Sequence, residues 1–594
     1  MNISSKSVLL ICYALMIYVA FFFYPKWQQS KTEATLSWDV SGYYMYLPAI
    51  FIYKDIKKCE FRDKIIQNYT PSYQFDQAFL HAKSQNYVMK YSIGQSIMMS
   101  PYFFIAHFWA SNSAHYAPDG FSFPYQVCLG IGMFLYALIG LYYLRKVLKI
   151  YFTDSTVAIL LFAYIFGTNY LNYSSVEQCM THNTLFTIYV LIIYNTIRFY
   201  KNFNIKNAIW IGFLTGLATL IRPTEIISII IPLAWNIQSY RDIGERIKLI
   251  FEKFKYYFVA AIVFGLIVFI QLFYWKYVSG EWIVYSYQDQ GFDWKSPHIW
   301  DYMFSYKCGW LIYTPMMILA ILSLFWYPKT DKYQLGILIF IVLNIYIVTA
   351  WSIWDYGGTA GRAMIQSYPI IAFPFAAILE KVNKTKWIKY IFYFFFALFV
   401  YVNLWWTYHA HRGFVQVSNL TKRYFWSVIW KMKADDFDTK YLDNKHSYRG
   451  YPNNFETIYD NNFEQDTSQN IVQIEGNKKL KLNKDLQFTP QYFIEYQSNI
   501  KNWLRISADI HCTEKEWDLW SQTQFIVQFY KENQPVQTNY IRVQRFIEQG
   551  ETKNIFLDAK PPKSGYDKIG INFWNANSNK EILIDNLKVI TFDE

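Results

Sequence analysis

Apolar residues run without interruption through most of the first two thirds of the chain, at 7–24, 124–144, 155–170, 183–197, 208–220, 226–238, 256–275, 303–325, 334–353, 363–379 and 388–406. A bilayer core needs about 20 apolar residues of helix to cross it, so these runs predict a polytopic α-helical membrane protein with about eleven transmembrane helices. The first run follows Lys6 and lacks a small-x-small cleavage site, which reads as a retained anchor. After Trp406 the pattern turns polar, and from about Asn470 it alternates with period two around 504–510, 524–529, 568–574 and 581–590. That alternation, with turn residues between the runs, predicts a C-terminal antiparallel β-sandwich, jelly-roll-like. The expected division is a membrane domain over 1–407 with a large loop at 25–123, a linker over 408–469, and the sandwich over 470–594.

The chain is 53% hydrophobic and 21% aromatic, and its 56 Lys+Arg against 44 Asp+Glu give a net charge of +12. This composition excludes a disordered chain and a small disulfide scaffold. The cations flank the apolar runs, so membrane topology explains the charge and no nucleic-acid partner is expected. Arg145, Lys146 and Lys149 follow the second run, Arg198, Lys201 and Lys206 the fourth, and Arg241, Arg246, Lys248, Lys253 and Lys255 the sixth. Lys329 and Lys332, then Lys381, Lys384, Lys386 and Lys389, continue the series. By the positive-inside rule these loops and the N-terminus are cytoplasmic. The expected setting is therefore multi-pass in a bacterial inner (plasma) membrane, with loop 25–123 and the C-terminal domain on the external, periplasmic side.

This alternation places Asp39, Lys90, Glu177, His182, Arg222, Asp289, Asp355 and Arg362 on one face. Asp39 opens an aromatic stretch, Trp38-Asp39-Val-Ser-Gly42-Tyr43-Tyr44, that reads as an interfacial helix. Its position also suits an N-cap for a helix over 43–51. The segment from Lys90-Tyr91-Ser-Ile-Gly94 to Pro101 is expected to lie along the surface as one or two short helices. Arg222 and Arg362 suit phosphate, because a guanidinium is permanently charged and bonds two oxygens at once; the same positions also suit arginines that merely snorkel at the interface. His182 has no His or Cys at metal-ligand spacing, so contact with phosphate or acceptor is the expectation. Scattered cysteines give neither a CxxC pair nor a zinc spacing.

In order along the chain, Asp39 with Gly42-Tyr43-Tyr44, the Lys90 to Pro101 segment, Met180-Thr-His182, Gly212 to Arg222-Pro223-Thr224, and Gly357-Gly358-Thr-Ala-Gly361-Arg362 resemble the GT-C class of integral-membrane glycosyltransferases. The resemblance is to the branch that includes protein O-mannosyltransferases and lipid A aminoarabinose transferases. Some members have two adjacent acids in the first loop, whereas Asp39 lies between Trp38 and Val40; others carry Asp where this chain has His182. The resemblance implies a glycan-building enzyme of the cell envelope. It would transfer a sugar, with inversion, from a polyprenyl-phosphate donor to a glycan, lipid or protein acceptor on the non-cytoplasmic face. It further implies Asp39 as general base; by their charge and their place on the same face, Arg222, Arg362, Lys90 and His182 are the candidates for the donor phosphate.

The chemistry suits such a set. A sugar phosphate leaves as a stable anion, so one carboxylate suffices as base and no acid is required. Tyr43, Tyr44, Glu177, Gln178, Tyr285 and Asp289 are candidate substrate contacts, and the Lys307-Cys-Gly309-Trp310 segment is a candidate lining. No resident metal is expected, although a divalent cation, Mg or Mn, stays open as a cofactor. The C-terminal segment resembles carbohydrate-binding jelly-roll modules, with Trp503, Trp517, Trp520 and Trp574 as stacking or core residues. Two alternatives stand beside the transferase: a transporter or flippase of lipid-linked glycans, and a membrane-anchored glycan-binding protein. Span interiors nearly free of charge weigh against translocation, which uses ionisable residues near the midplane.

Overall fold

The computed structural model describes residues 4–72, 75, 77–326, 334–355, 361–412, 420–497, 499–516 and 518–593. Gly357 and Gly358 of the last motif, Lys329, Lys332 and Trp517 lie outside the described residues. The chain forms two compact units, Met1–Ser418 and Asn419–Glu594.

The first unit is helical. Its main helices are α1 Ser5–Tyr18, α2 Trp38–Tyr44, α3 Gly94–Ser111, α4 Phe123–Leu148, α5 Asp154–Gly167, α6 Thr181–Lys201, α7 Ile205–Ile221, α8 Phe254–Ser279, α9 Met316–Trp326, α10 Gln334–Thr349, α11 Tyr368–Val382 and α12 Lys386–Ala410. Local chemistry sets several starts: Thr153 caps α5 by accepting from Thr156 N, and Asn204 caps α7 by accepting from Asn207 N. Among the described residues, five stretches are long and apolar enough to cross a membrane: Ser5–Gln28, Phe123–Leu148, Phe254–Ser279, Arg362–Val382 and Lys386–Ala410. The last two differ in place. The Arg362–Val382 stretch is mostly enclosed by neighbouring helices, whereas Lys386–Ala410 leaves Trp387 and Phe394 exposed; on α8, Leu266 and Phe273 are likewise exposed. Large exposed apolar faces of this kind suit hydrocarbon and not water.

The expected number of spans is not established by these helices. Asp154–Gly167, Ile205–Ile221, Pro223–Ala234, Met316–Phe325 and Leu335–Thr349 are apolar but shorter, and α6 is long enough yet carries Asn183, Thr184, Thr187, Asn195 and Thr196, all buried. Two apolar runs are also broken. The run over 303–325 is split into Ile299–Phe304, Trp310–Tyr313 and α9, with Gly309 and Pro315 at the breaks. The run over 226–238 is a 3₁₀ segment, Pro223–Ile229, followed by Ile230–Ala234, with prolines at 223 and 232. In loop 25–123 the segment beyond Gly94 is a single helix of 18 residues that continues through Pro101, longer than the one or two short helices expected, and a small hairpin, β1 Ala78–Leu80 with β2 Tyr87–Met89, delivers Lys90.

In the second unit the predicted strands are present within a larger set: β3 Asn453–Asn461, β4 Ile471–Ile474, β5 Asn477–Leu482, β6 Tyr492–Glu495, β7 Trp503–Cys512, β8 Gln524–Lys531, β9 Gln534–Arg542, β10 Thr552–Ala559, β11 Lys568–Trp574 and β12 Ile582–Asp593. They form antiparallel sheets ordered β10-β7-β12-β5-β4, with β3 also on β12, and β6-β11-β8-β9. Leu504, Ile506 and Ile584 from one sheet and Phe525, Val527 and Ile571 from the other share one core, which makes a two-layer sandwich.

The expected linker over 408–469 needs correction. Lys422–Val428, Asp436–Lys440 and β3 all belong to this unit. Polar turn composition hid them, since Asp435 spends its charge on a capping box and β3 is an exposed edge strand without alternation. The unit also holds a buried ion cluster, in which Asp443 pairs with Arg542 at 2.6 Å and Arg545 at 3.2 Å. Removing one side of a buried pair costs about 3–5 kcal/mol. Asp443→Asn is therefore expected to destabilise the sandwich on that scale, read as faster amide exchange across β8 and β9 of the full-length protein; unchanged exchange would contradict this account of the cluster.

Candidate active site

Asp39 is the second residue of α2, and it does not cap a helix. Ser37 occupies the N-cap position, while Asp39 turns toward the helical body. Its Oδ1 accepts from the Tyr91 hydroxyl at 2.7 Å and its Oδ2 from Arg362 Nη2 at 2.6 Å. The capping alternative is thereby replaced by a carboxylate held between a phenol and a guanidinium. Arg362 reaches it because Gly361 adopts φ +64° directly against the Trp310 side chain, where a Cβ would lie 2.4 Å from Trp310 Cβ. Only glycine fits that turn.

Around the pair lies a ring of aromatic and charged groups. Tyr43 packs on Tyr91 with ring centroids 4.4 Å apart, and Tyr287 meets Tyr91 edge-on at 6.0 Å. Burial pushes the Tyr43 and Tyr91 phenols well above their usual range, so both stay protonated hydroxyl donors. Lys90 Nζ lies 5.5 Å from the Tyr91 ring and 5.8 Å from that of Tyr287. Burial lowers the Lys90 pKa, with Asp39 and Asp289 acting in the opposite sense.

On the far side of the ring, α7 ends at Arg222, whose Nη1 lies 3.5 Å from His182 Nδ1 at the start of α6. Gln366, in the 3₁₀ turn that follows Arg362, places Oε1 3.3 Å from the same Nδ1 and donates from Nε2 to Glu225 Oε1 at 3.0 Å. Tyr189 donates to the other Glu225 oxygen at 2.6 Å. Hydrogen bonds to a charged group are worth about 1.5–3 kcal/mol, against about 1 for neutral pairs, so Glu225 governs the orientation of the Gln366 amide. Arg222 and Arg362 both act electrostatically on His182 and on Tyr43, which puts the two guanidinium groups around one space.

Backbone contact at Gly94 holds Arg222 in place. A Cβ there would lie 2.4 Å from Ile221 N and 2.5 Å from Leu220 C, at the last turn of α7. Overpacking costs about 1–3 kcal/mol. Gly94→Ala is therefore expected to lower thermal stability by that much and to move Arg222; an unchanged melting temperature would show that α7 gives way freely.

Other candidates are placed differently. Glu177 binds Lys26 at 2.5 Å; burial opposes ionisation, yet Lys26 prevails and holds the carboxyl below its usual range. Tyr24 donates to Glu33 at 3.1 Å beside this pair, and His411 sits on the Tyr24 ring. Burial pushes the His411 imidazole down to about 4. Gln178 is buried, and among the described residues neither its side-chain nitrogen nor its oxygen has a hydrogen-bond partner. Tyr44 faces away, donating to Gly120 O at 2.6 Å among Phe103 and Phe121. Tyr285 is exposed and donates to Gln290 O, and Asp289 is exposed near Lys90. Lys307 pairs with Asp355, while Trp310 is wholly buried and donates to Tyr368 at 3.0 Å, so it belongs to the core and not to a lining. In the second unit Trp503 is buried, Trp520 is exposed, and Trp574 stacks on Phe488.

Lys26, Tyr91, Tyr189, Glu225, Tyr287 and Gln366 were not singled out as site residues by sequence reasoning. Glu225 did carry a signal, being an acid at the mouth of an apolar run; Gln366 and Tyr189 carried none. Among the described residues no group of three or more His, Cys, Asp or Glu side chains could hold a metal ion. Asp39, the carboxylate that Arg362 pairs with, already accepts from Arg362 and Tyr91. This donor set does not fit a resident cation.

No protein-family model matches the chain, and no curated protein matches it. Among solved structures, the chain is similar to one described as "Family 16 Carbohydrate Binding Module-2", at 17% identity and a TM-score of 0.15, the match covering 19% of this chain and 77% of that one.

Proposed function

We propose that this chain is an integral-membrane glycosyltransferase that moves a sugar from a polyprenyl-phosphate donor to a hydroxyl-bearing acceptor on the non-cytoplasmic face. The observation that carries the reading is the convergence of one carboxylate, Asp39, with Arg362 at 2.6 Å and with Arg222 and Lys90 around the same space. Direct displacement at an anomeric carbon needs this inventory: a base for the acceptor proton and fixed positive charge for the departing phosphate.

In this reading the acceptor hydroxyl gives its proton to Asp39 as its oxygen attacks the anomeric carbon. The bond from that carbon to the phosphate oxygen breaks, and polyprenyl phosphate leaves as an anion held by Arg222 and Arg362. A guanidinium carries five N–H donors, so the bond to Asp39 lets Arg362 serve carboxylate and phosphate together and bring base and leaving group to one point. Tyr91 fixes the second oxygen of Asp39, and burial of the surrounding phenols keeps water from competing for the sugar. The other carboxyls near this space are engaged: Glu225 accepts from Tyr189, Gln366 and Thr224, and Glu177 pairs with Lys26.

The test uses purified full-length protein in lipid vesicles with polyprenyl-phosphate sugars extracted from a cell envelope. Release of polyprenyl phosphate in step with a newly glycosylated acceptor is the expected result. Movement of intact lipid-linked sugar across the vesicle, with no polyprenyl phosphate formed, would overturn the proposal in favour of transport.

A further inference from the structure

Beside the arginine and histidine lies a carboxylate that the proposed reaction does not consume. Glu225 is 2% exposed and follows Pro223 at the end of α7. Tyr189 donates to its Oε2 at 2.6 Å, while Gln366 Nε2 and Thr224 Oγ1 donate to its Oε1 at 3.0 and 3.3 Å. Burial raises the pKa of this carboxyl, but three donors converge on its two oxygens, which suits the ionised form, and an ionised carboxylate only accepts. It therefore decides which end of the Gln366 amide faces it, namely the nitrogen.

The other end of that amide follows. Gln366 Oε1 lies 3.3 Å from His182 Nδ1, and a carbonyl oxygen only accepts, so this contact is a hydrogen bond when Nδ1 carries the proton. The competing arrangement has Arg222 donating to a bare Nδ1 at 3.5 Å. It would set the Gln366 oxygen either against the nitrogen lone pair or, with the amide reversed, against the Glu225 carboxylate. Either way two acceptors would face each other in a buried site, where an unmet acceptor is costly. With the proton on Nδ1, only the long Arg222 contact is lost.

We propose that Glu225 is a positioning residue for His182: acting through Gln366, it holds the imidazole as the Nδ1–H tautomer and leaves the lone pair on Nε2. The consequence, which rests on the transferase reading, is a change of role. A neutral imidazole with its lone pair on Nε2 accepts a hydrogen bond there, so His182 orients a hydroxyl of the acceptor or of the sugar and does not donate to the donor phosphate through that nitrogen.

The experiment is nitrogen NMR of the full-length protein labelled with ¹⁵N-histidine in lipid bilayers, with the His182 signals identified by their loss in His182→Gln. The expected result is Nδ1–H in the wild type, a population of Nε2–H in both Glu225→Gln and Gln366→Leu, and no change in Tyr189→Phe, which removes a donor to Glu225 without freeing the amide. An Nε2–H imidazole in the wild type would overturn the inference, and that spectrum decides even if a variant fails to fold. So would a tautomer indifferent to both Glu225→Gln and Gln366→Leu, or one equally disturbed by Tyr189→Phe, which would indicate a merely structural carboxylate.

Because this readout needs no turnover, an inactive wild type would count against the transferase reading and leave the tautomer result standing. In the transfer assay Glu225→Gln is expected to lower kcat roughly 10–100-fold, the scale on which partners behind a functional imidazole act, with little change in KM for the lipid donor. A raised donor KM at unchanged kcat would return His182 to the phosphate.

Discussion

Replacing Asp39 by Asn is expected to abolish most glycosyl transfer, lowering kcat by about 10²–10⁴-fold, the contribution of a positioned general base. The substitution is almost isosteric. The Asn oxygen still accepts from Arg362 or Tyr91, now at 2.6 and 2.7 Å from the carboxylate, and the position is not a cap whose loss would unravel α2. What disappears is the capacity to take a proton. Donor binding is expected to persist, because the arginines remain, so KM for the lipid donor should change far less than kcat. The measurement is initial rate against donor concentration for both proteins, with circular dichroism and thermal unfolding matched. Equal kcat would remove Asp39 from the chemistry.

The second large effect concerns the guanidinium groups. Arg362→Lys keeps the charge and snorkels as well as arginine, but it loses the planar fork that holds Asp39 and, in the proposed reaction, the donor phosphate. Removing a positioned donor to developing charge costs roughly 10²–10³-fold in rate, and Arg362→Lys is expected to fall in that range. Arg222→Lys is expected to weaken donor binding as well, since Arg222 ends its helix beside His182, where a shorter ammonium cannot bond two phosphate oxygens at once. The check is kcat and KM for each variant at matched expression and stability. Full activity in both lysine variants would reduce these residues to interface markers.

Much of this arrangement was legible in the sequence, because membrane topology sorts residues by face before any contact is known. Asp39 and Lys90 lie in the loop over 25–123, while His182, Arg222 and Arg362 each border an apolar run, and the fold brings Arg362 to Asp39 and Arg222 to His182. Strand positions in the second unit were legible for a simpler reason: β7 alternates buried and half-buried residues along nearly its whole length.

What escaped was set by packing. The run over 303–325 has the hydropathy of a span, but Gly309 and Pro315 break it, and hydropathy carries no record of that geometry. Glu177 resembled a site carboxylate by position and is instead spent on Lys26, a partner at the start of the loop over 25–123. Gln366 and Tyr189 acquire meaning only through Glu225, since an amide or phenol in an apolar helix looks like any other until its neighbour is known. Tyr43 and Tyr44 differ by one residue and face opposite ways, one to Tyr91 and the other to Gly120.

The central claim is a single direct displacement at the anomeric carbon, assisted by one carboxylate. It is tested most directly by the anomeric configuration of the product, read by NMR of the glycosylated acceptor made by the wild-type protein from a donor of known configuration. The account predicts one inversion, with the product opposite to the donor. Retained configuration, which requires a covalent glycosyl intermediate or a second displacement, would contradict it, as would recovery of unreacted lipid-linked sugar alone.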